Sequence, residues 1–410
     1  MTRPRRIAIV THGLEIGGGV PVVARWLQHS LLEDGQYDVD VHDLATSSRD
    51  TSSRRVAKPR TWARRSLKDR QGEAPPYTDH WGANAVELEF MRYRRRRELT
   101  RALQRYDLIQ VVAGSPAWSL PASRCGRPVV LQVATTVSWE RRSQLAVQST
   151  IPREYRRLMT RATSRIERHA LQSADAVLVE NSEMHSFVES LGHAYVVHAP
   201  PGVDTEIYTP AQHGWRREGH LLSVCRLGDP RKGLDRTVRA YAELVTTNER
   251  APDLIIAGKG RISDSLQRLI GALGVGERVK VLSNLEPRDL VKIYRGASVF
   301  LQTSHEEGLG LSVLEAMACG LPVVATRTAG SAVTVIDGVT GWLVPQNPEN
   351  EIPAAIAARI SMLLAGDGGT VAIGARQQCV NTFSSRVAFK RFTNIYEDLR
   401  SRPSPARSAP

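Results

Sequence analysis

The sequence contains no run of 18 apolar residues, which removes an ordinary membrane-spanning helix from the reading. The N-terminus, MTRPRRIAIVTHG, is basic, but its apolar run, Ile7–Val10, is too short for the core of a signal peptide and reads as a first strand. Cysteine is scarce. Cys125, Cys225, Cys319 and Cys379 stand apart without metal-ligand spacing and are expected as free thiols of a reducing cytoplasm. Lysine is scarce too: of the 55 basic residues 7 are Lys and 48 Arg. No solenoid-length repeat occurs. No helix-turn-helix, zinc-finger or ribonucleoprotein signature accompanies the charge, so no nucleic acid is expected as partner.

What is present is a globular balance. The 410 residues, 41% hydrophobic and 24% charged, suffice for two domains with their own cores. The net charge of +13 gathers in Arg clusters at 54–70, 92–105 and 153–169. These are either solvated helix faces or a surface for an anionic partner such as a phosphorylated compound or an anionic membrane.

Short β-branched runs alternate with longer amphipathic segments. Strands are expected at 5–10, 38–44, 108–113, 128–133, 176–181 and 194–199, then at 220–226, 253–260, 279–284, 298–304 and 322–327. Helices are expected at Pro21–Leu32, Leu234–Thr247, Ser263–Leu273 and Leu311–Cys319. Such alternation implies βαβ units, and the two series imply an α/β chain of two Rossmann-like, doubly wound domains. The expected division is 1–205, with a mobile, irregular insertion at about 45–80, then 206–382, a terminal helix at 383–400 and a disordered tail at 401–410.

Three stretches carry chemistry. In SHEEGLGLSVLEAMACGLPVVAT (304–326), Gly308 and Gly310 loosen a loop between a strand and a helix that starts near Leu311. The first amides of that helix suit a phosphate or a sugar hydroxyl. Glu307 and Glu315 each offer a carboxylate to a vicinal diol, although each Glu alone reads more readily as an ion-pair or capping partner. In SVCRLGDPRKGLD (223–235), Arg226 and Lys232 flank a turn and bracket a diphosphate, or simply belong to a basic turn. In THGLEIGGGVPVVARWL (11–27), Gly17, Gly18 and Gly19 let backbone approach a bulky anionic group, without the spacing of a dinucleotide fingerprint or a Walker loop.

Together these pieces resemble the retaining glycosyltransferases of family 4, on EGLGLSVLEAMACGLPVVA (307–325). PPGVDTEIYTP (200–210), IIAGKG (255–260) and DGVTGWLVPQNPE (337–349) follow in family-like order. The DPRKG turn is similar to that of phosphatidylinositol mannosyltransferases. The resemblance implies the GT-B fold, two Rossmann-like domains facing across a cleft, with the C-terminal helix crossing back to the N-terminal domain. It implies a nucleotide-diphosphate sugar as donor, no metal and no other cofactor. Glu315 would hold the ribose and Glu307 the transferred sugar, with Gly308, Leu309, Gly310 and Leu311 on sugar or phosphate. Arg226 and Lys232 would neutralise the leaving diphosphate, Ser283, Asn284 and Leu285 would flank the base, and Gly17–Gly19 would close over the donor from the opposite domain. The acceptor would be anionic, lipid-linked or a polysaccharide end, and the location the cytoplasm, with peripheral contact at an anionic membrane face open. Two departures stand out. Many relatives have a His where this chain has Ala134, and the stretch AGSAVTVIDG (329–338) lacks a Glu they often carry. His12, beside the glycine loop, is a substitute base or a structural residue. A silent sugar-nucleotide-binding subunit, a glycosidase and a sugar-nucleotide epimerase are the competing readings.

Overall fold

A computed structural model describes residues 3–15, 18–47, 49–56, 58–62, 68–71, 77–142, 150–366 and 368–401. The chain divides into two compact units, Met1–Pro201 with Ala388–Pro410, and Gly202–Val387. The N-terminal unit thus ends four residues before the expected boundary at 205 and takes the chain back at Ala388 rather than at 383.

Among the described residues the N-terminal unit holds one sheet of eight strands. They are β1 (Arg5–His12), β2 (Tyr37–Leu44), β3 (Lys68–Gln71), β4 (Thr78–Trp81), β5 (Leu108–Ala113), β6 (Val129–Val133), β7 (Ala176–Val179) and β8 (Val196–His198). Their order is β3-β4-β2-β1-β5-β6-β7-β8, parallel except for the β3–β4 pair. Ile7–Val10 and all of β5, β6 and β7 are buried. That is why these strands read as continuous apolar runs rather than alternating ones. Helices α1 (Gly19–Asp34), α2 (Arg97–Leu103), α3 (Thr150–Ser173) and α4 (Ser182–Ser190) accompany the sheet.

The 45–80 stretch is not simply irregular: β3 and most of β4 lie in it. Its polar composition hid β4 because the buried residues there alternate as Asp79 and Trp81. Asp79 lies 3.7 Å from the His42 ring, and Trp81 donates its indole N–H to the same ring at 3.0 Å. Residues 48, 57, 63–67 and 72–76 of the stretch, Gly17 of the glycine loop, and tail residues 402–410 lie outside the described residues.

The second unit orders its six strands β11-β10-β9-β12-β13-β14, all parallel. They are β9 (His220–Arg226), β10 (Leu254–Lys259), β11 (Val279–Ser283), β12 (Ala297–Gln302), β13 (Val323–Thr326) and β14 (Gly341–Val344). Its helices are α5 (Leu234–Thr247), α6 (Asp264–Ala272), α7 (Pro287–Arg295), α8 (Leu311–Ala318), α9 (Ile352–Ala365) and α10 (Gly368–Gln378). Both sheets have the doubly wound pattern, with the winding direction reversing between β1 and β5 in one and between β9 and β12 in the other. Ligands of such sheets bind outside the carboxyl ends of the strands at the reversal.

The final helix, α11 (Ser385–Ser401), starts in the second unit and runs into the first. Phe392 meets Trp26 of α1 edge-on at 5.5 Å, and Tyr396 donates to the Gln110 side chain in β5 at 2.8 Å. Glu397 pairs with Arg5.

Candidate active site

The carboxyl ends of β9 and β12 lead into two loops that meet. After β9, Asp229 caps a single 3-10 turn, Pro230–Lys232, by accepting from the Arg231 amide at 3.1 Å. Its carboxylate also binds Arg226 at 2.7 Å and Arg231 at 2.9 Å. Burial pushes this carboxyl up, but the Arg231 hydrogen bond and the nearby arginines outweigh it and hold it below the ordinary value. Gly233 closes the turn with φ +59°, and a Cβ there would stand 2.2 Å from the Thr303 carbonyl oxygen. Only glycine lets this turn lie against the end of β12.

After β12, Glu307 accepts from Lys232 Nζ at 2.6 Å, with Ser304 and Gln302 at 3.3 and 3.4 Å. Its backbone carbonyl accepts from Gly330 N at 2.9 Å, and a Cβ on Gly330 would meet Leu309 N at 2.6 Å. The 307–310 loop therefore rests on a bare backbone. Arg236, 3% exposed, pairs with Glu349 and donates to Gln346, whose amide donates in turn to the carbonyls of Ser304 and His305. Gly308 and a buried Leu309 lead to Gly310 (φ +89°), whose carbonyl starts α8 by accepting from Val313 and Leu314. No side chain caps α8, so the amides at Leu311 and Ser312 remain open to a ligand.

Glu315 lies one turn further along α8. Its carboxylate accepts from the buried Tyr294 hydroxyl at 2.7 Å and from Tyr208. Burial raises its pKa to about 7 against the pull of the two hydroxyls. The glutamate in this apolar helix thus has protein partners, and a carboxylate retains capacity for further donors. Its partners are tyrosines rather than an arginine. Neither was foreseen from the sequence. The available signal was Tyr294 itself, on the same apolar face of α7 as Val291, where a buried hydroxyl needs an acceptor.

On the other side of β9, Ser283 ends β11 opposite Gly258. Asn284 follows in a left-handed conformation (φ +56°), donating to the Gly258 carbonyl at 2.7 Å and accepting from Gly260 N at 3.1 Å, and Leu285 is partly buried. Arg226, Lys232, Glu307, Gly308–Leu311 and Glu315, with Ser283–Leu285, therefore all belong to one unit. Gly18 and Gly19 belong to the other, where Gly18 (φ +108°) precedes α1.

In the N-terminal unit the glycine loop leaves β1 beside the end of β5. His12 stacks on Trp118 with centroids 4.5 Å apart and accepts from Gly114 N at 3.3 Å. Burial lowers its pKa to about 4, so it is neutral at pH 7. Asp43, at the end of β2, accepts from Leu14 N of the loop at 3.3 Å and binds His80 Nδ1 at 2.7 Å, while His80 Nε2 binds Asp50 at 2.8 Å. These bonds raise the His80 pKa to about 10. A second buried carboxyl, Glu167 of α3, joins the loops after β5 and β6 by accepting from Ser115 Oγ and Val137 N, both at 2.8 Å, close to Ala134 in sequence. Burial raises its pKa to about 7. Both clusters escaped sequence reading because their members lie 30–52 residues apart.

The His80 cluster makes a prediction. The folded pKa exceeds the ordinary 6.5, so its stabilisation is complete below about pH 6.5 and is lost as pH rises through about 10. Calorimetry should show the N-terminal unit of the wild type losing stability over that window more than His80→Gln does. His80→Ala, which strands two carboxylates, should cost roughly 3–5 kcal/mol. Equal slopes for wild type and His80→Gln would refute the charged bridge.

Residues 17–207 match the model of Glycosyltransferase Family 4, and residues 210–371 that of Glycosyl transferases group 1. Over 181 residues the chain is 36% identical to a GDP-mannose-dependent alpha-(1-6)-phosphatidylinositol monomannoside mannosyltransferase of Mycolicibacterium smegmatis, covering 40% of this chain and 46% of that protein. Over 297 residues it is 32% identical to a D-inositol 3-phosphate glycosyltransferase of Mycolicibacterium gilvum, covering 67% and 62%. Both matches span less than two thirds of the relative's own length. Among solved structures, sucrose-phosphate synthase from Thermosynechococcus elongatus aligns with a TM-score of 0.72 at 20% identity over 97% of this chain and 99% of that one. Anabaena HepE in complex with UDP aligns at 0.68 and 16% over 96% and 100%. At these identities the likeness shows the fold, GT-B.

Proposed function

Since the chain belongs to the glycosyltransferases of family 4, with a group 1 domain in its C-terminal half, we propose that it moves a hexosyl or N-acetylhexosaminyl group from a nucleotide-diphosphate sugar to an acceptor hydroxyl. The observation that carries this reading is the Lys232–Glu307 pair at 2.6 Å, held beside Arg226 and the uncapped start of α8. Two cations and one set of helix amides there suit a diphosphate, and one carboxylate suits sugar hydroxyls.

The sugar–phosphate bond breaks through an oxocarbenium-like state as charge builds on the departing diphosphate. Arg226, Lys232 and the α8 amides stabilise that charge more than they stabilise the intact donor, which is what lowers the barrier. Glu315 accepts the ribose hydroxyls. Retention at the anomeric carbon follows if the leaving phosphate itself takes the acceptor proton, a route suited to a chain with Ala134 where many relatives carry His. The Arg clusters favour an anionic acceptor and contact with an anionic membrane face. No single helix among the described residues is long and apolar enough to cross a membrane.

The test is a melting-temperature screen of the purified chain with GDP-mannose, UDP-glucose and UDP-N-acetylglucosamine, followed by NMR of the product's anomeric configuration. A donor at a hundred times its Kd should stabilise by about 2.7 kcal/mol. Stabilisation by none of the nucleotide sugars would refute the proposal. Epimerised donor without acceptor would indicate an epimerase, and tight donor binding without turnover on any acceptor a silent subunit.

A further inference from the structure

The N-terminal unit contains a cavity of about 970 Å³ whose lining includes Arg54, Arg55, Arg94, Arg95, Arg97 and His169, and no Asp or Glu. The rest of its wall is mostly apolar or aromatic, Val56, Trp62, Ala85, Met91 and Leu120, with Asn84 as one neutral polar group. Like charges gathered around one space repel one another unless an anion lies between them. Burial and the charge of Arg124 both press the Arg95 pKa down. Arg55, Arg94, Arg95 and Arg97 make no ion pair with a carboxylate among the described residues.

The frame holding these groups is fixed by hydrogen bonds. Arg54 N donates to the Ala83 carbonyl and Val86 N to the Arg54 carbonyl, at 2.9 and 3.1 Å, which fastens the segment after β2 to the segment after β4. Arg55 N donates to the buried Thr61 hydroxyl at 2.8 Å, and the Trp62 indole N–H to the Arg55 carbonyl at 2.7 Å. With that N–H occupied, Trp62, 58% exposed, presents ring surface rather than a donor. Arg95 Nε is held on Ser123 Oγ at 3.1 Å. Ala85, on the rim, is in the left-handed region at φ +52°, a conformation of the kind that concentrates at ligand sites.

We propose that this cavity binds a phosphorylated ring polyol, with its phosphate or phosphates on the arginines and its ring against Trp62. Arginine forks match phosphate oxygens bidentately, and the four that pair with no carboxylate among the described residues already exceed what one phosphate needs. An aromatic face beside them suits the C–H side of a sugar or cyclitol ring. Phosphate binding here does not depend on the transferase reading. That the bound ring is the acceptor, or the headgroup of a lipid presenting it, does rest on that reading.

The test uses the full chain and calorimetric titration with glucose 1,6-bisphosphate, glucose and inorganic phosphate at low and at physiological salt. Vesicles of phosphatidylcholine with and without phosphatidylinositol form the second arm. The bisphosphate should bind at least tenfold more tightly than inorganic phosphate, glucose should not bind, and salt should weaken the interaction. Arg94→Gln/Arg97→Gln, at two exposed positions whose loss leaves the fold intact, should weaken the bisphosphate at least tenfold. Trp62→Ala should weaken the bisphosphate but not inorganic phosphate. Neither variant should alter the melting-temperature shift caused by the nucleotide sugar, so failure here is distinguishable from failure of the donor site. Vesicle binding that needs phosphatidylinositol and is lost in the double variant would assign the ring to a lipid headgroup, and binding of the soluble ligand alone would assign it to a free metabolite. Equal affinity for bisphosphate and inorganic phosphate, or an unchanged double variant, would overturn the proposal.

Discussion

Lys232→Met should lower kcat/KM about a hundred- to a thousandfold, or roughly 3–4 kcal/mol, the scale on which one fixed donor at a developing anion counts. The loss should fall mainly on kcat, because the ammonium group matters most when the bond to the diphosphate has broken. Methionine keeps the length and volume of the lysine stem. The turn is independently held by Asp229, and Thr303 Oγ1 donates to the Gly233 carbonyl at 2.7 Å, so the turn should survive; the melting temperature should fall because Glu307 loses its cation, and the kinetics are read well below it. Lys232→Arg should restore only part of the rate, since a planar fork does not reproduce a point charge 2.6 Å from Glu307. Steady-state kinetics with the selected donor decide the matter. A loss under threefold in Lys232→Met would remove this residue from the reaction.

The second large effect is on donor affinity. Glu315→Gln should weaken donor binding about 10–100-fold, since hydrogen bonds to a charged acceptor contribute about 1.5–3 kcal/mol each. Tyr294 retains an acceptor in the amide oxygen, so the variant should fold. Burial raises this carboxyl to about 7, so the neutral form is populated near neutral pH in the free protein. Because the folded value lies above the ordinary 4.5, this group costs stability as pH rises from about 4.5 to 7. A diol that donates to the ionised form reverses that preference. Donor affinity should therefore improve between pH 6 and 8 in the wild type and stay flat in Glu315→Gln, as titration at several pH values would reveal. Parallel pH profiles would show that Glu315 serves only its tyrosines.

Much of the architecture was legible because parallel strands buried on both faces leave unbroken β-branched runs, as at Ile7–Val10 and Leu108–Ala113. β4 was not legible, since its buried positions include Asp79, an acid placed there beside His42 and Arg105. β14 was hidden by brevity, four residues of which the first is Gly341 at φ +159°. In the candidate site, Lys232 and Glu307 were readable from local motifs, whereas their meeting across 75 residues is a product of the strand order that sets β9 beside β12. Of the groups around Glu315 only Tyr294 left a local signal, and the Asp43–His80–Asp50 bridge left none. Their members are isolated polar residues whose partners are chosen by tertiary packing.

Helix α11 has a bearing on how the protein is made. Phe392, Ile395 and Tyr396 are buried in the first unit but are translated only after the whole of Gly202–Val387. At about 5–20 residues per second the ribosome needs roughly 10–40 s to cover that interval. The half synthesised first therefore waits with an unfilled slot against Trp26 and Gln110, while the half synthesised second already has its entire sheet. Maturation of the nascent chain is thus expected to run against the order of synthesis, with the earlier unit closing last.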